Sequence, residues 1–282
     1  MNPANESTRA IDVGGRRLVL TTGGLGAPTV VLETGLGAEA DEWAPVQRAL
    51  APHATVCRYD RAGRGASDPA TKPRSAADLV SDLHALLQGA ALPPPYLLVG
   101  HSFGGLLVRL FAHRHRDLVA GVVLVDAMHE DQFDLLGPTF PPPRAGEPAA
   151  LVDTREFWSR GWRDPRSTKE GLDLVASCEQ ARKIGSLGDL PLHVLSAGTF
   201  LNQPLVPEAM RPHLQRIWDG LQRRLAGLSS RSTHGTIPGC GHFLQREAPQ
   251  EVAAVIGAMA RRARRRVMRA GAGGNEGVGS RI

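Results

Sequence analysis

Ser102 sits between Gly100 and Gly104 in the stretch YLLVGHSFGG, with an apolar run before it and the helical pattern FGGLLVRLFAHR reaching beyond it. G-x-S-x-G at a strand-to-helix turn is a nucleophile elbow. The chain reverses there with almost no loop, which forces the serine into a strained backbone. Neighbours without a Cβ let the helix and the adjoining strand come close. The hydroxyl then stands clear of the sheet at the positive end of a helix. A serine hydroxyl is a weak nucleophile until a base takes its proton. Of the ten histidines, His84 and His113 fall at ordinary helix positions. His242 differs, because it lies in IPGCGHFLQREAP, a glycine-rich loop between the last strand and the last helix. In a parallel sheet that loop emerges at the same edge as Ser102, so the pair can serve as nucleophile and general base. The chemistry such a pair would carry out is acyl transfer through a covalent intermediate.

The stretch VVLETGLGAEADEW offers a different chemistry. Gly35, Gly37 and Ala40 fit the G-x-G-x-x-G/A fingerprint of a dinucleotide-binding turn, and Asp60 follows Ala40 by twenty residues, where a ribose-binding acid would stand. Charge argues against it. Glu39, Asp41 and Glu42 crowd the first helical turn. At ~6 Å and an effective dielectric of ~20, each would repel a pyrophosphate charge by on the order of 2–3 kcal/mol. Neither a nicotinamide nor any other organic cofactor is expected. No metal is expected either: His129, Glu130 and Asp131 are consecutive, and three residues on one turn cannot all face one ion.

The elements that must hold Ser102 and His242 alternate between apolar runs and amphipathic stretches, the pattern of a mostly parallel sheet flanked by helices. RAIDVGGRRLVLTT reads as a hairpin turning at Gly14-Gly15. A strand at 29–33, a helix over about 39–50 and the strand ATVCRYD follow. Ser75 caps a helix whose Leu79, Val80, Leu83, Leu86 and Leu87 share a face. The alternation breaks near Ala127, where GPTFPPPRAGEP cannot continue a regular element, and resumes at PLHVLSA. The intervening residues include a helical pattern over STKEGLDLVASCEQARKIG, with Leu174, Cys178 and Ala181 on one stripe. They also hold Phe133, Phe140, Phe157, Trp158 and Trp162. The expected division is a core of 1–126 and 191–260, a cap inserted at 127–190, and a basic, disordered tail at 261–282.

Composition limits the alternatives. The chain has 282 residues, 42% of them apolar, enough for one large core, and no run of eighteen apolar residues that could span a membrane. MNPANESTRA has neither the basic start nor the apolar run of a secretory signal, and the three cysteines are odd in number and far apart. Both features point to a reducing, cytoplasmic setting. The net charge is +5, but seven arginines and a single glutamate lie beyond residue 260, so the body is close to neutral. Arginines at a helix C-terminus complement its dipole, and aromatic partners for stacking are missing, so neither nucleic acid nor membrane is an expected partner.

ETGLGAEADEW, YDRAGRGASDP, VGHSFGG, VVLVDAMHEDQ and GCGHF stand in an order and spacing that resemble the α/β-hydrolase superfamily over roughly residues 10 to 260. The resemblance implies an α/β fold with a capped, mostly parallel sheet. It makes Ser102 the nucleophile and His242 its base, with backbone N–H groups of Leu36 and Phe103 as the oxyanion hole. The TGLG turn then presents an N–H to an oxyanion rather than to a dinucleotide. Many relatives keep the triad acid after the strand read here as PLHVLSA, but GTFLNQPLVP follows and the first acid is Glu208. Asp189 precedes that strand, at the wrong end of the sheet. The superfamily's other location is the end of the preceding strand, which gives Asp126, with Glu130, Asp131 and Asp134 as fallbacks. Cys240 reads as a small residue in a tight loop, and Arg61 and Asp68 as residues that knit the loop beneath the site.

The function expected is a serine hydrolase that cleaves a carboxylic ester of an apolar small molecule. Thioester, lactone and C–C bond hydrolysis and cofactor-free haloperoxidation use the same triad in relatives. A serine at the elbow speaks against haloalkane dehalogenase and epoxide hydrolase chemistry, which in relatives uses an aspartate there. A non-catalytic binding module is the remote alternative, alongside the NAD-binding oxidoreductase. Substrate-contacting residues and oligomeric state are not legible.

Overall fold

The computed structural model describes residues 6–199, 206 and 208–273. Ser7–Asp12 (β1) and Arg17–Gly23 (β2) form the antiparallel hairpin expected at Gly14-Gly15, whose N–H groups both donate to Asp12 Oδ1. Thr29–Glu33 (β3), Ala44–Leu50 (α1), Thr55–Tyr59 (β4), Ala76–Gly89 (α2), Tyr96–His101 (β5), Phe103–Arg114 (α3) and Val119–Val125 (β6) follow as alternating units. Gln132–Leu136 (α4), Ala149–Ser159 (α5) and Leu174–Arg182 (α6) precede Leu192–Ala197 (β7). Arg211–Ala226 (α7), Ser232–Ile237 (β8), Leu244–Glu247 (α8) and Pro249–Gly273 (α9) complete the chain.

One eight-stranded sheet runs in the order β1-β2-β4-β3-β5-β6-β7-β8, antiparallel only at β1 and β2. Strands at the centre are buried on both faces, which is why their sequences are continuous apolar runs. Alternate side chains nevertheless go to different layers. Val31, Leu98, Val122 and Val194 meet α2, α3 and α6, whereas Val30, Leu32, Leu97, Val123 and Leu195 meet α1 and α9. β5 sits between β3 and β6, so the loops after all three open at one edge of the sheet.

The α2 start is a capping box. Ser75 N–H donates to Asp78 Oδ2 at 2.8 Å, and the four leucines and the valine read as one face are buried. α6 is shorter than its sequence pattern: it begins at Leu174, because Asp173 caps it by accepting from Ala176 N–H. Leu174, Cys178 and Ala181 are buried against the α2–α3 layer. The inserted aromatics pack largely on one another. Phe133 and Trp162 stack at 4.5 Å and are both buried, with Phe157 and Trp158 against Phe133.

The basic stretch from Arg261 does not leave the fold as a disordered tail. α9 continues through it to Gly273, and the stripe Val252, Ile256, Met259, Ala260 and Ala263 carries the buried face past the first two arginines. The rest of the expected tail, 274–282, lies outside the described residues, as do 200–205 and 207 in the segment after β7. No helix among the described residues is long and apolar enough to cross a membrane. All three cysteines are free, and burial pushes the Cys57 and Cys178 thiols up to about 12, which leaves them protonated and unreactive.

Candidate active site

Ser102 connects β5 to α3 with φ 52° and ψ −122°, a conformation that costs free energy in any residue with a Cβ. Its backbone is held from three directions. Ser102 N–H donates to Val125 O at 3.2 Å, while Met128 N–H and Gly105 N–H donate to Ser102 O at 2.8 and 2.9 Å. The motif glycines are steric requirements: a Cβ at Gly100 would lie 2.4 Å from Gly104 O, and one at Gly104 would lie 2.6 Å from Glu33 O. Phe103, the first residue of α3, carries one of the N–H groups that have no intrahelical acceptor. The Leu36 N–H, in the loop after β3, has no acceptor among the described residues.

Asp126 follows β6 directly, is fully buried and has φ 42°. Its Oδ1 accepts from Ala197 N–H at 2.9 Å and from Trp218 Nε1–H at 2.8 Å. Its Oδ2 lies 2.6 Å from His242 Nδ1. Asp126 and His242 are thus brought together across the end of β7. The His242 loop is anchored to that strand end too, since Thr199 N–H donates to Cys240 O at 3.0 Å. The other candidate acids are engaged elsewhere: Glu130 with Arg109 at 2.9 Å, and Asp131 and Asp134 with Arg182 at 3.1 and 3.2 Å. Glu208 is exposed, and Asp189 pairs with Arg116 at 2.9 Å.

Trp218 was not legible as a site residue. It lies on the apolar stripe Leu214, Trp218, Leu221 and Leu225 of α7 and looks like core. The available signal was the indole N–H, which must find an acceptor when buried. Gln222, one turn on, donates to Ala127 O at 2.8 Å, so one face of α7 pins both Asp126 and the residue after it.

His101 underlies the pair. Its Nε2 lies 2.8 Å from the carbonyl of His242, which can only accept, so Nε2 carries the proton. Nδ1 lies 3.2 Å from Gln245 Nε2, whose other contact is the Glu42 carboxylate at 3.0 Å, so Nδ1 is an acceptor. The geometry demands a neutral ring. Burial first, and the neighbouring His242 second, push His101 well below its ordinary value of 6.5. The unfolded chain therefore takes up this proton first as pH falls, so the stability His101 supplies is full above the unfolded value and lost progressively below it. Between about pH 7 and pH 5, the urea midpoint of the wild type should fall further than that of His101→Gln, which cannot titrate. Parallel curves for the two proteins would show that the ring is not held neutral.

The dinucleotide fingerprint is otherwise engaged. Gly37 N–H donates to Glu170 Oε1 at 2.7 Å, and Ala40 N–H donates to Asp60 Oδ1 at 2.8 Å. Two of the N–H groups that would cradle a pyrophosphate already face carboxylates, and the supposed ribose acid is one of them. Arg61 and Asp68 knit loops as expected: Arg61 is buried between Glu33 and Glu170, and Asp68 accepts from Arg17 N–H at 2.8 Å. Among the described residues no group of three His, Cys, Asp or Glu side chains could hold a metal ion.

Residues 28–154 match the family described as alpha/beta hydrolase fold. A thermophilic esterase from Thermogutta terrifontis superposes with a TM-score of 0.64 at 18% identity, covering 93% of this chain and 100% of the esterase. The haloalkane dehalogenase DatA from Agrobacterium tumefaciens C58 superposes at 0.60 with 19% identity, covering 92% and 97%. In sequence, the uncharacterized protein YqjL of Bacillus subtilis is 27% identical over 225 residues, 79% of this chain and 80% of YqjL. A 128-residue stretch is 36% identical to a Hormonema carpetanum protein named "Probable transporter efuK", covering 43% of this chain and 18% of that protein's length. The chain has the fold of the α/β-hydrolase superfamily, with a helical insertion between β6 and β7.

Proposed function

We propose that the protein is a serine hydrolase that cleaves carboxylic esters through an acyl-enzyme. The observation that carries this reading is the 2.6 Å contact between His242 Nδ1 and Asp126 Oδ2 at the sheet edge that bears the elbow serine. Asp126 holds the proton of His242 on Nδ1, which leaves Nε2 as a base. Ser102 Oγ gives its proton to Nε2 and bonds to the ester carbonyl carbon. The carbonyl oxygen becomes an oxyanion against the N–H groups of Leu36 and Phe103. As the C–O bond breaks, the alcohol leaves with the proton from Nε2. Water then gives a proton to Nε2 and attacks the acyl carbon, and as the bond from that carbon to Ser102 Oγ breaks, Oγ takes the proton back from Nε2 and the acid is released.

The serine at the elbow supports esterase over dehalogenase chemistry, although DatA shares the fold. Turnover of a p-nitrophenyl ester series from acetate to octanoate is expected. Inactivity of the folded protein on every member of the series, together with activity on a haloalkane, would count against the reading.

A further inference from the structure

The loop that would supply half of the oxyanion hole is gripped from below by a buried ion pair with no part in the proton relay. Arg61 Nη2 donates to Gly35 O at 2.6 Å, and Nη1 donates to Thr34 O at 2.8 Å and to Glu33 Oε1 at 2.6 Å. The guanidinium also forks onto Glu170, Nε to Oε2 at 2.7 Å and Nη2 to Oε1 at 2.6 Å. Glu170 Oε1 in turn accepts from Gly37 N–H at 2.7 Å. Gly35 O and Leu36 N–H belong to one peptide group, which is planar, so holding the oxygen fixes the direction of the N–H. The next peptide, Leu36 to Gly37, is held by its own N–H. Both peptide planes flanking Leu36 are therefore tied to the same pair, and the side chains of Arg61 and Glu170 are each 1% exposed.

The chain supplies the two halves from different places. Arg61 comes from the loop after β4, Glu170 from the insertion between β6 and β7. A charged hydrogen bond to Gly35 O also polarises that peptide, increasing the positive character of its N–H. We propose that Arg61 and Glu170 are positioning residues that aim and polarise the Leu36 N–H, so that the placement of the inserted segment sets the strength of the oxyanion hole. This rests on the serine-hydrolase reading above. A pair that served folding alone would have no reason to bond both peptides on either side of Leu36.

Glu170→Gln removes the charge of the fork while keeping its shape, and Glu170→Asp keeps the charge but shortens the reach to Gly37. Active sites in each protein are counted by stoichiometric fluorophosphonate labelling, and kcat for p-nitrophenyl butyrate is expressed per labelled site. Removing one oxyanion donor costs about 10²–10³ in kcat, so a misaimed one is expected to cost roughly 10–100-fold, with KM changed by less than about threefold. Affinity for a trifluoromethyl ketone, which forms the tetrahedral adduct, should fall by the same factor as kcat. A lower Tm with kcat per labelled site within about twofold of wild type would show a structural role only and overturn the proposal. If Glu170→Gln does not fold, Glu170→Asp decides by the same criterion. Wild-type protein that takes no label would instead remove the serine-hydrolase reading beneath it.

Discussion

Ser102→Ala is expected to lower ester turnover by about 10⁴–10⁶ while leaving the fold and its stability nearly unchanged. With Ser102 as the nucleophile, the reaction would lose its covalent acceptor, and what would remain is the binding and oxyanion contribution over water. Stability should survive because the strained turn is not held by the hydroxyl. It is held by backbone bonds from Ser102 to Val125, Met128 and Gly105, all of which alanine can make. Alanine also meets the same steric cost at φ 52° as serine does. Steady-state turnover with Tm measured alongside checks this, and turnover within tenfold of wild type would assign the nucleophile elsewhere.

Asp126→Asn should cost on the order of 10³–10⁴ in kcat, and the structure indicates which atom is responsible. Oδ1 accepts two N–H groups, from Ala197 and Trp218, so an asparagine must keep its oxygen there. Its NH₂ then occupies the place of Oδ2, 2.6 Å from His242 Nδ1 in the native protein. Two donors cannot face each other, so the histidine is driven to carry its proton on Nε2, where it can no longer receive one from serine. The loss should appear in kcat rather than in KM. Trp218→Phe offers a contrast: it removes one of the two donors that hold the asparagine oxygen and leaves only the Ala197 N–H, so the bias against the flipped amide weakens and the double variant should recover part of the lost activity. Full activity in Asp126→Asn would mean that another group orients His242.

What could be read from the sequence was whatever depends on local pattern. The strand alternation, the Ser75 cap and the elbow follow from spacing, glycine and hydrogen-bonding side chains within a few residues of one another. Asp126 follows from two things together: no acid stands between Ala197 and Glu208, and the resemblance to the α/β-hydrolase superfamily implies the end of the preceding strand as the other place for one. The C-terminal arginines follow a helical pattern in the sequence, but the helix runs on to Gly273, into a stretch that their charge and the glycines after them assign to a disordered tail. Trp218 and Glu170 were out of reach for a different reason. Each acts on a residue far away in sequence, 92 positions for Trp218 and Asp126 and 109 for Glu170 and Arg61. Nothing at either position differs locally from an ordinary core tryptophan or surface glutamate.

The claim on which the rest depends is that Ser102 forms the covalent bond. Wild-type protein is incubated with a fluorophosphonate, digested, and its peptides are mapped by mass spectrometry, with Ser102→Ala treated in parallel. The expected result is one adduct per chain, on Ser102, and none on the variant. An adduct on another residue, or full labelling of Ser102→Ala, would contradict it.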